Sequence, residues 1–346
     1  MAGRGMRSAT SAAQQDHDEV YRLIMAGWGS QVVRTLASLS VAEHLDGGSL
    51  TAEQIAQRAS SDANMTYRVL RAGVTLGLLE YDNATRAFTG TSRLEILHPD
   101  SPFTLKRYAQ ASPGPAFWLP ALRLPDTVRR GSNYVQEALG TSVWEFFASH
   151  DDEARMFRAA MTDISAPVIR EAVSAIDVAG GRFAVDIGGA NGAFVAELLQ
   201  ANPHLSGAVL DLPEAMPGVA QESRRRGLGE RMSGIGGDFF DSVPTADLYL
   251  LKFVLHDWSD ESCVQILSNI RRAMNPGARL FIVEMTFTDE ATSMSAALMD
   301  VGMIFGFTGR ERDLTEFEKL LRAADLAIVR TSTLHHPYQP IEAQAC

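Results

Sequence analysis

From residue 181 onward, apolar strand-like runs alternate with amphipathic helical segments. The runs are RFAVDIGG, SGAVLDLP, RMSGIGGDFF, ADLYLLKFVLHD and ARLFIVEMTF, and the segments between and after them have helical spacing. Strands joined by helices in this way are typical of a parallel sheet covered on both faces. The sequence therefore predicts an α/β domain with a doubly wound sheet. We expect any ligand to bind at the carboxyl ends of its strands.

Before this region, residues 17–100 have a helix, helix, helix, hairpin pattern typical of a winged helix. Such a module is either a DNA reader or a structural dimerisation unit. Residues 1–100 contain nine Arg, no Lys and eleven acidic residues, a net charge of −2, and the second helix of the pair offers only Arg68 and Arg71. A DNA reader carries a basic surface, so the charge favours the structural interpretation.

The rest of the composition excludes several classes of protein. The net charge is −11, which disfavours binding to a phosphate backbone. No apolar run reaches the length of a membrane span, and residues 1–16, a predicted disordered tail, lack the apolar segment of a secretory signal. Cys263 and Cys346 cannot form a disulfide framework and fit a reducing cytoplasm.

Residues 101–180 are predicted to form a proline-broken linker followed by two helices. The helices carry Met and Phe side chains on one face, among them Phe157 and Met161. This face is interpreted either as ordinary core packing or as the wall of a pocket for a flat ligand.

The first strand runs into a glycine-rich turn, VDIGGANG, and Asp211 ends the next strand 23 residues after Gly188. An acid at this distance can accept both hydroxyls of a ribose. Asp238 follows the third strand, where it can accept the amino group of an adenine, with Phe239 against the ring. The pattern indicates a nucleoside-containing ligand. An NAD site is less well matched because Ala190 stands where the pyrophosphate requires a glycine, and a tight turn without a ligand stays open.

His256 ends the fourth strand, at the edge of the sheet where ligands bind. An imidazole pKa near 6.5 suits a general base. Glu284 ends the fifth strand and Glu311 precedes a helix, so either carboxylate can orient the imidazole. Trp258 is expected to stack on a purine or to seal the loop.

The next residues have a simpler explanation. Ser259 is a predicted N-cap, with Asp260 and Glu261 in the first helical turn. A metal site built from His256, Asp257 and Asp260 is therefore disfavoured, since capping explains the acids.

Taken together, DIGGANG, LDLP, GGDFF, LKFVLHDWSDE, IVEM and GRER resemble the S-adenosylmethionine-dependent small-molecule O-methyltransferases. That family includes plant caffeate and flavonoid enzymes, acetylserotonin methyltransferase and bacterial antibiotic-tailoring enzymes. The resemblance spans essentially the whole chain, although Ala190 and Asn191 replace the glycine and threonine often found there. It implies a Rossmann-like catalytic domain of the class I methyltransferase type with an N-terminal winged-helix dimerisation domain.

The resemblance also implies roles for individual residues. It assigns His256 as the base, with Glu284 and Glu311 flanking it and Asp257 following it. The implied cofactor residues are Asp186, Gly188, Gly192, Asp211, Leu212, Asp238, Phe239, Lys252 and Trp258. The implied substrate residues are Trp118, Phe157, Met161, Met299, Met303 and Phe307, with Phe117 beside them.

The function expected from this resemblance is methyl transfer from S-adenosylmethionine to a hydroxyl, with a phenolic group of a small aromatic secondary metabolite as the acceptor and without a metal. The expected assembly is a homodimer in which Trp28 of one subunit can enter the other's pocket. The expected domains are 17–100 for dimerisation, 101–180 for the substrate helices and 181–346 for the cofactor and catalysis. Two alternatives stay open: a family member with hydroxylating or decarboxylating chemistry, and a winged-helix ligand-sensing regulator.

Overall fold

The computed structural model describes residues 3–287, 294–334 and 337–346. The chain forms two compact units. The N-terminal unit contains Met1–Trp118 and Phe147–Ile164, and the C-terminal unit contains Leu119–Phe146 and Ser165–Cys346. The segment 101–180, predicted as a linker followed by the substrate helices, is thus divided between the two units.

The N-terminal unit begins with a long helix, and two further helices and a small sheet follow it. Its first elements are α1 (Gly3–Ser38), α2 (Val41–His44), β1 (Leu50–Thr51), α3 (Ala52–Ala59), α4 (Ala63–Thr75), β2 (Leu79–Asp82) and β3 (Ala87–Gly90). The three strands form an antiparallel sheet in the order β1-β3-β2. This is the predicted sequence of helices followed by a hairpin.

Local sequence explains where these helices begin. The Thr51 side chain accepts a hydrogen bond from the backbone N–H of Gln54, whose own side chain accepts from Thr51, so α3 starts with a capping box. Asp62 caps α4 by accepting from Met65. Residues 1–16 are predicted to form a disordered tail, but the structure places residues 3–16 in α1. Residues 8–19 contain Ala and Gln but neither Gly nor Pro, so nothing in them interrupts a helix.

One face of α1 is apolar and exposed. Trp28 is 72% exposed and Ile24 is 70% exposed, and Leu23, Tyr21 and Val20 are also exposed. The helix instead buries Leu36 in a small core around Phe88. The exposed apolar face is therefore separate from the contacts that hold this unit together.

Short helices and one long helix occupy residues 92–175. They are α5 (Ser92–Glu95), α6 (Lys106–Ala111), α7 (Pro115–Ala121), α8 (Leu124–Arg130), α9 (Val135–Leu139), α10 (Val143–Ser149) and α11 (Asp151–Ala175). None of the described helices is long and apolar enough to cross a bilayer.

The C-terminal unit is built on a large mixed sheet with helices on both faces. Its elements are β4 (Phe183–Ile187), α12 (Ala193–Ala201), β5 (Ser206–Asp211), α13 (Met216–Arg225), β6 (Met232–Gly236), β7 (Ala246–Lys252), α14 (Asp260–Ala273), β8 (Met274–Phe287), α15 (Met294–Met303), β9 (Arg312–Asp313), α16 (Leu314–Ala323), β10 (Leu326–Thr331) and β11 (Tyr338–Ala345). The strand order is β10-β11-β8-β7-β4-β5-β6, and β9 pairs with β8.

Strands β4 to β8 run parallel, as predicted, whereas β11 is antiparallel to both of its neighbours, β8 and β10. Alternate residues of the central strands enter two cores. Val185 and Leu251 pack with α14 and α16 on one face, while Ala184 and Leu250 pack with α12, α13 and the end of α11 on the other. The near-continuous apolar runs in the sequence reflect this burial on both faces.

Candidate active site

The carboxyl ends of the parallel strands meet at one edge of the sheet in the C-terminal unit. Ile187 pairs with Leu210 in adjacent strands, Asp211 pairs with Gly236, and Lys252 pairs with Val283. The residues predicted to bind the cofactor and to orient the base lie at or just beyond these positions. The structure therefore brings them to one edge.

The glycine-rich turn after β4 adopts a left-handed conformation at Gly188, where φ is +64°. A Cβ placed on Gly188 would lie 3.1 Å from the Val254 side chain and 3.5 Å from the Phe239 ring, both in the loops that follow neighbouring strands. The missing side chain keeps a narrow space open above the strand ends. Gly192, also at positive φ, precedes the first residue of α12.

Asp186 and Asp211 support this turn. The Asp186 carboxylate is buried beneath it and accepts a hydrogen bond from the Val195 N–H at 3.2 Å. One Asp211 oxygen accepts from the Ala190 N–H at 2.8 Å, and the other accepts from the Leu212 N–H at 2.7 Å. Burial raises the pKa of both carboxyls. Each Asp211 oxygen retains a lone pair that a ribose hydroxyl can use.

The loop after β6 carries Asp238, which is exposed and accepts from the Phe240 N–H at 2.8 Å. The Trp258 ring meets Phe240 edge-to-face at 4.8 Å and Phe239 at 6.1 Å between centroids. The Asn269 amide donates to the carbonyls of both phenylalanines. Trp258 thus packs against this loop, and its role beside a purine stays a prediction.

Lys252 ends β7 as a partly buried cation. Its Nζ lies 3.0 Å from the Ser165 hydroxyl and 4.1 Å from the centroid of the Phe253 ring. Burial lowers the pKa of Lys252, although the charges of Asp186 and Glu284 oppose that shift. The lysine therefore couples electrostatically to both the cofactor side and the catalytic side of the predicted site.

His256 lies in the 3-10 turn Leu255–Asp257, with its side chain 15% exposed. Its Nδ1 is 2.9 Å from Oε1 of Glu311 and 3.7 Å from Oε2 of Glu284. Because a carboxylate only accepts, Nδ1 carries the hydrogen of this short contact. When the ring is neutral, Nε2 is left to take a proton.

The two glutamates contact this turn differently. Glu284 Oε1 accepts from the backbone N–H groups of Val254 and Leu255 at 3.0 and 2.9 Å, so Glu284 holds the backbone of the turn. Glu311 makes the short contact to the imidazole itself. Within the part of the chain that the structure describes, the second oxygen of each glutamate is buried and has no hydrogen-bond partner.

The charges around His256 change its proton affinity. Burial alone would lower the pKa of His256, but Glu284, Asp257 and Glu311 outweigh it and raise the pKa to about 10. For the neighbouring carboxyls burial acts in the opposite direction. It raises the pKa of Glu284 to about 7 and that of Asp257 to about 6. The sequence-based expectation of an ordinary imidazole is therefore corrected. The reason is that three carboxylates surround one ring.

The ligand atoms of His256, Glu284 and Glu311 all lie within 4.8 Å of one another, which is a spacing that a divalent cation can use. The metal site that the sequence disfavours is a different set, His256 with Asp257 and Asp260. In the structure, Asp260 forms ion pairs with Arg312 and Arg310. Ser259 caps α14 by accepting from Ser262, so the capping prediction is confirmed.

Sequence reasoning missed three residues at this edge. Arg312, almost fully buried, donates to carbonyls in the loop that carries His256. A Cβ placed on Gly309 would lie 2.1 Å from the His256 carbonyl oxygen, so only glycine fits there. Ser165 contacts Lys252 from α11. The GRER motif signalled the first two, but nothing in the sequence pointed to Ser165.

The predicted substrate residues fall in both units. In the N-terminal unit, the Phe157 ring stacks on Phe147 with centroids 4.8 Å apart and lies 5.6 Å from Phe117. Trp118 and Met161 belong to the same unit. In the C-terminal unit, Met299 and Met303 lie on α15, and Phe307 meets Trp144 edge-to-face at 5.7 Å.

Comparison with known proteins places this geometry in a family. Residues 122–327 match the model of an O-methyltransferase domain, and residues 21–94 match that of an O-methyltransferase dimerisation domain. The mitomycin biosynthesis 6-O-methyltransferase of Streptomyces lavendulae is 31% identical over 93% of this chain and 92% of its own length. The 2,7-dihydroxy-5-methyl-1-naphthoate 7-O-methyltransferase of Streptomyces carzinostaticus is 32% identical over 86% of this chain and 89% of its own.

Solved structures agree with these relatives. The mitomycin 7-O-methyltransferase structure superposes with a TM-score of 0.91 and 29% identity, covering 97% of this chain and all of the other. An O-methyltransferase from neocarzinostatin biosynthesis, solved with S-adenosylmethionine and 2-hydroxy-5-methyl naphthoic acid, superposes with a TM-score of 0.80 and 29% identity. It covers 92% of this chain and 96% of its own. From the family models, the relatives and the fold together, the chain belongs to the S-adenosylmethionine-dependent O-methyltransferases of small molecules.

Proposed function

We propose that this enzyme transfers the methyl group of S-adenosylmethionine to a phenolic hydroxyl of a small aromatic secondary metabolite, with His256 as the general base. The observation that carries the proposal is the short contact between His256 Nδ1 and Glu311. It fixes the tautomer that leaves Nε2 available to take the proton of an acceptor.

The strand-end turn fits the cofactor. Above Gly188 there is a space that a side chain would fill, and Asp211 retains acceptor capacity for a ribose. We assign Asp238 and Phe239 to the adenine and Lys252 as a cation beside the turn. Leu212 and Asp186, through the contacts described above, and Gly192, at positive φ before α12, complete the proposed cofactor set. When bound, S-adenosylmethionine supplies a methyl group that is already activated on a sulfonium.

The protein therefore has two tasks, to align an acceptor oxygen and to remove its proton. Phenols have a pKa of about 10, so little phenolate exists at neutral pH. The pKa of His256 is raised to about 10, so its neutral imidazole is a strong enough base to take a proton from a phenol, while most of the histidine is protonated at neutral pH. Fixed alignment of the oxygen contributes the larger share of the rate.

An aromatic acceptor is supported by the relatives, whose named activities concern mitomycin and a dihydroxylated naphthoate. It is also supported by the aromatic and Met side chains assigned to the substrate. Trp118, Phe157 and Met161 offer such surfaces in one unit, and Met299, Met303 and Phe307 offer them in the other.

The assembly proposed is a homodimer. The match of residues 21–94 to a dimerisation domain supports it, and so does the exposed apolar face of α1. We further propose that Trp28, which is exposed on that face, reaches the partner's substrate site.

The test is a mass-spectrometric screen of the purified enzyme with S-adenosylmethionine and a panel of phenols, naphthols and aliphatic alcohols. The His256→Ala variant serves as the control. We expect a mass gain of one methylene on phenolic acceptors that depends on His256. Methylation confined to aliphatic alcohols, or turnover unaffected by the substitution, would contradict the proposal.

A further inference from the structure

Arg312 is a buried cation attached to the loop that carries the proposed base. It is 1% exposed, and its Nε and Nη2 bind Oδ1 of Asp260 at 3.0 and 2.8 Å. Nη1 donates to the Leu255 carbonyl at 2.9 Å, and Nη2 donates to the Trp258 carbonyl at 2.8 Å. The guanidinium thus contacts the residue before His256 and the second residue after it.

The same arginine follows Glu311 directly in the chain. Glu311 makes the short contact to His256, so Arg312 joins the segment that holds the orienting carboxylate to the turn that holds the imidazole. One neighbouring contact reinforces the join, since Gly309 packs directly on the His256 backbone. Separately, the Glu311 N–H donates to Asp300 of α15 at 2.9 Å.

The need to neutralise Asp260 does not explain why an arginine is at position 312. Asp260 also pairs with Arg310, which is half-exposed, so the carboxylate already has a cation. A lysine could neutralise Asp260 as well, but it lacks the planar fork that binds one carboxylate and two carbonyls at fixed angles. What distinguishes Arg312 is the geometry that it imposes on residues 255–258.

We infer that Arg312 is a positioning residue, which holds the His256 imidazole against Glu311 by clasping the backbone on both sides of the histidine. The inference rests on the proposed role of His256 for its effect on turnover. The contact between His256 and Glu311 can be tested without that role.

The first measurement therefore needs no acceptor. In protein labelled with ¹⁵N-histidine, the hydrogen-bonded Nδ1–H of His256 should give a downfield proton resonance that is absent from His256→Gln and shifted in Glu311→Gln. We expect Arg312→Lys to shift or broaden this resonance. Arg310→Lys, the matched control in the same motif, should leave it unchanged. An unaltered resonance in Arg312→Lys overturns the inference.

The second measurement uses turnover of the phenolic acceptor found in the screen. A misplacement on the ångström scale costs about 10²-fold, so Arg312→Lys should lose roughly that much kcat for an acceptor that must be deprotonated. It should lose far less for a nitrophenol that is already ionised at the assay pH. Affinity for S-adenosylhomocysteine, measured by calorimetry, should stay the same.

Double variants separate the two proposals. If Arg312 acts through His256, Arg312→Lys combined with His256→Ala should be slower than His256→Ala by no more than about twofold. Full turnover in His256→Ala would count against the proposed base. Wild-type turnover in Arg312→Lys, together with impaired turnover in His256→Ala, would count against the role of Arg312 alone. If Arg312→Lys does not fold, Asp260→Asn tests the same clasp from the other side.

Discussion

Oε1 of Glu311 lies 2.9 Å from Nδ1 of His256, whereas the nearest contact of Glu284 to that nitrogen is 3.7 Å. The sequence left open which of the two acids orients the imidazole. The distances favour Glu311, while Glu284 binds the backbone of the turn.

Replacing Glu311 by Gln should therefore lower turnover more than replacing Glu284 by Gln. Loss of the partner that orients a metal-binding histidine costs about 10- to 100-fold. We expect a loss in the same range for Glu311→Gln, because Glu311 orients a histidine in the same way. Glu284→Gln keeps an oxygen that accepts from both backbone N–H groups and should lose less. Steady-state kinetics of both variants at one pH checks the order, and the reverse order would contradict the assignment.

The pH dependence follows from the raised pKa of His256. A base must be neutral, and below a pKa of about 10 the neutral fraction falls as the pH falls, so kcat/KM of the wild type should rise with pH towards 10. His256→Ala should lose about 10²- to 10⁴-fold at neutral pH. That deficit should persist up to a pH of about 10, because the neutral imidazole of the wild type and the phenolate on which the variant relies increase in parallel over this range. Near-wild-type turnover at neutral pH would make His256 structural.

Asp211 is expected to set affinity for the cofactor. Asp211→Asn keeps one acceptor oxygen but loses the charge, and a charge-assisted hydrogen bond contributes about 1.5–3 kcal/mol. Titration calorimetry with S-adenosylhomocysteine should show a binding free energy weaker by roughly that amount. Asp241→Asn, at an exposed aspartate after β6, is the control and should bind normally. An unchanged affinity in Asp211→Asn would remove Asp211 from the site.

The dimer should form through the N-terminal unit. Light scattering at micromolar concentration should give twice the mass of the chain. Ile24→Glu should give a monomer, because a charge in the middle of the exposed face of α1 opposes its burial. Val329→Glu, at an exposed apolar residue outside the N-terminal unit, is the control and should remain dimeric. A monomeric wild type contradicts the proposal.

Methyl transfer should not require an added metal, because the proposed donor is already activated and the proposed base is a histidine. Turnover in EDTA should equal turnover in untreated buffer. Loss of activity in EDTA with recovery on adding magnesium would overturn this expectation and would direct attention to the spacing of His256, Glu284 and Glu311.

Sequence patterns predicted the parallel half of the sheet, and the predicted site residues lie together at its edge because the two are linked. A strand-length apolar run fixes where a strand ends, and a parallel topology brings strand ends together, as it does for Asp211, Lys252 and Glu284. Ala190, the departure from the family's usual loop, is at a φ of +52°, so the turn keeps its shape without that glycine.

The residues that could not be predicted act on backbone atoms or across long separations. Arg312 binds carbonyls, which every residue has, and a side chain 52 positions earlier. Ser165 meets Lys252 across 87 positions. Strand β11 also left no signal, because it is polar for an interior strand. Its buried Glu342 is stabilised by an ion pair with Arg330 rather than by apolar packing.

The place of β11 in the sheet has a consequence for how the chain is made. Residues 338–345 insert between β8 and β10, both of which precede them in the order of translation. Until residue 345 has left the ribosome, the edges of β8 and β10 that face β11 lack their partner, and an unpaired edge is a template for aggregation. A nascent chain paused after β10 would expose the edge of β10 and the edge of β8, the strand that carries Glu284. The sheet that carries the catalytic residues can therefore be completed only after residues 338–345 have been made.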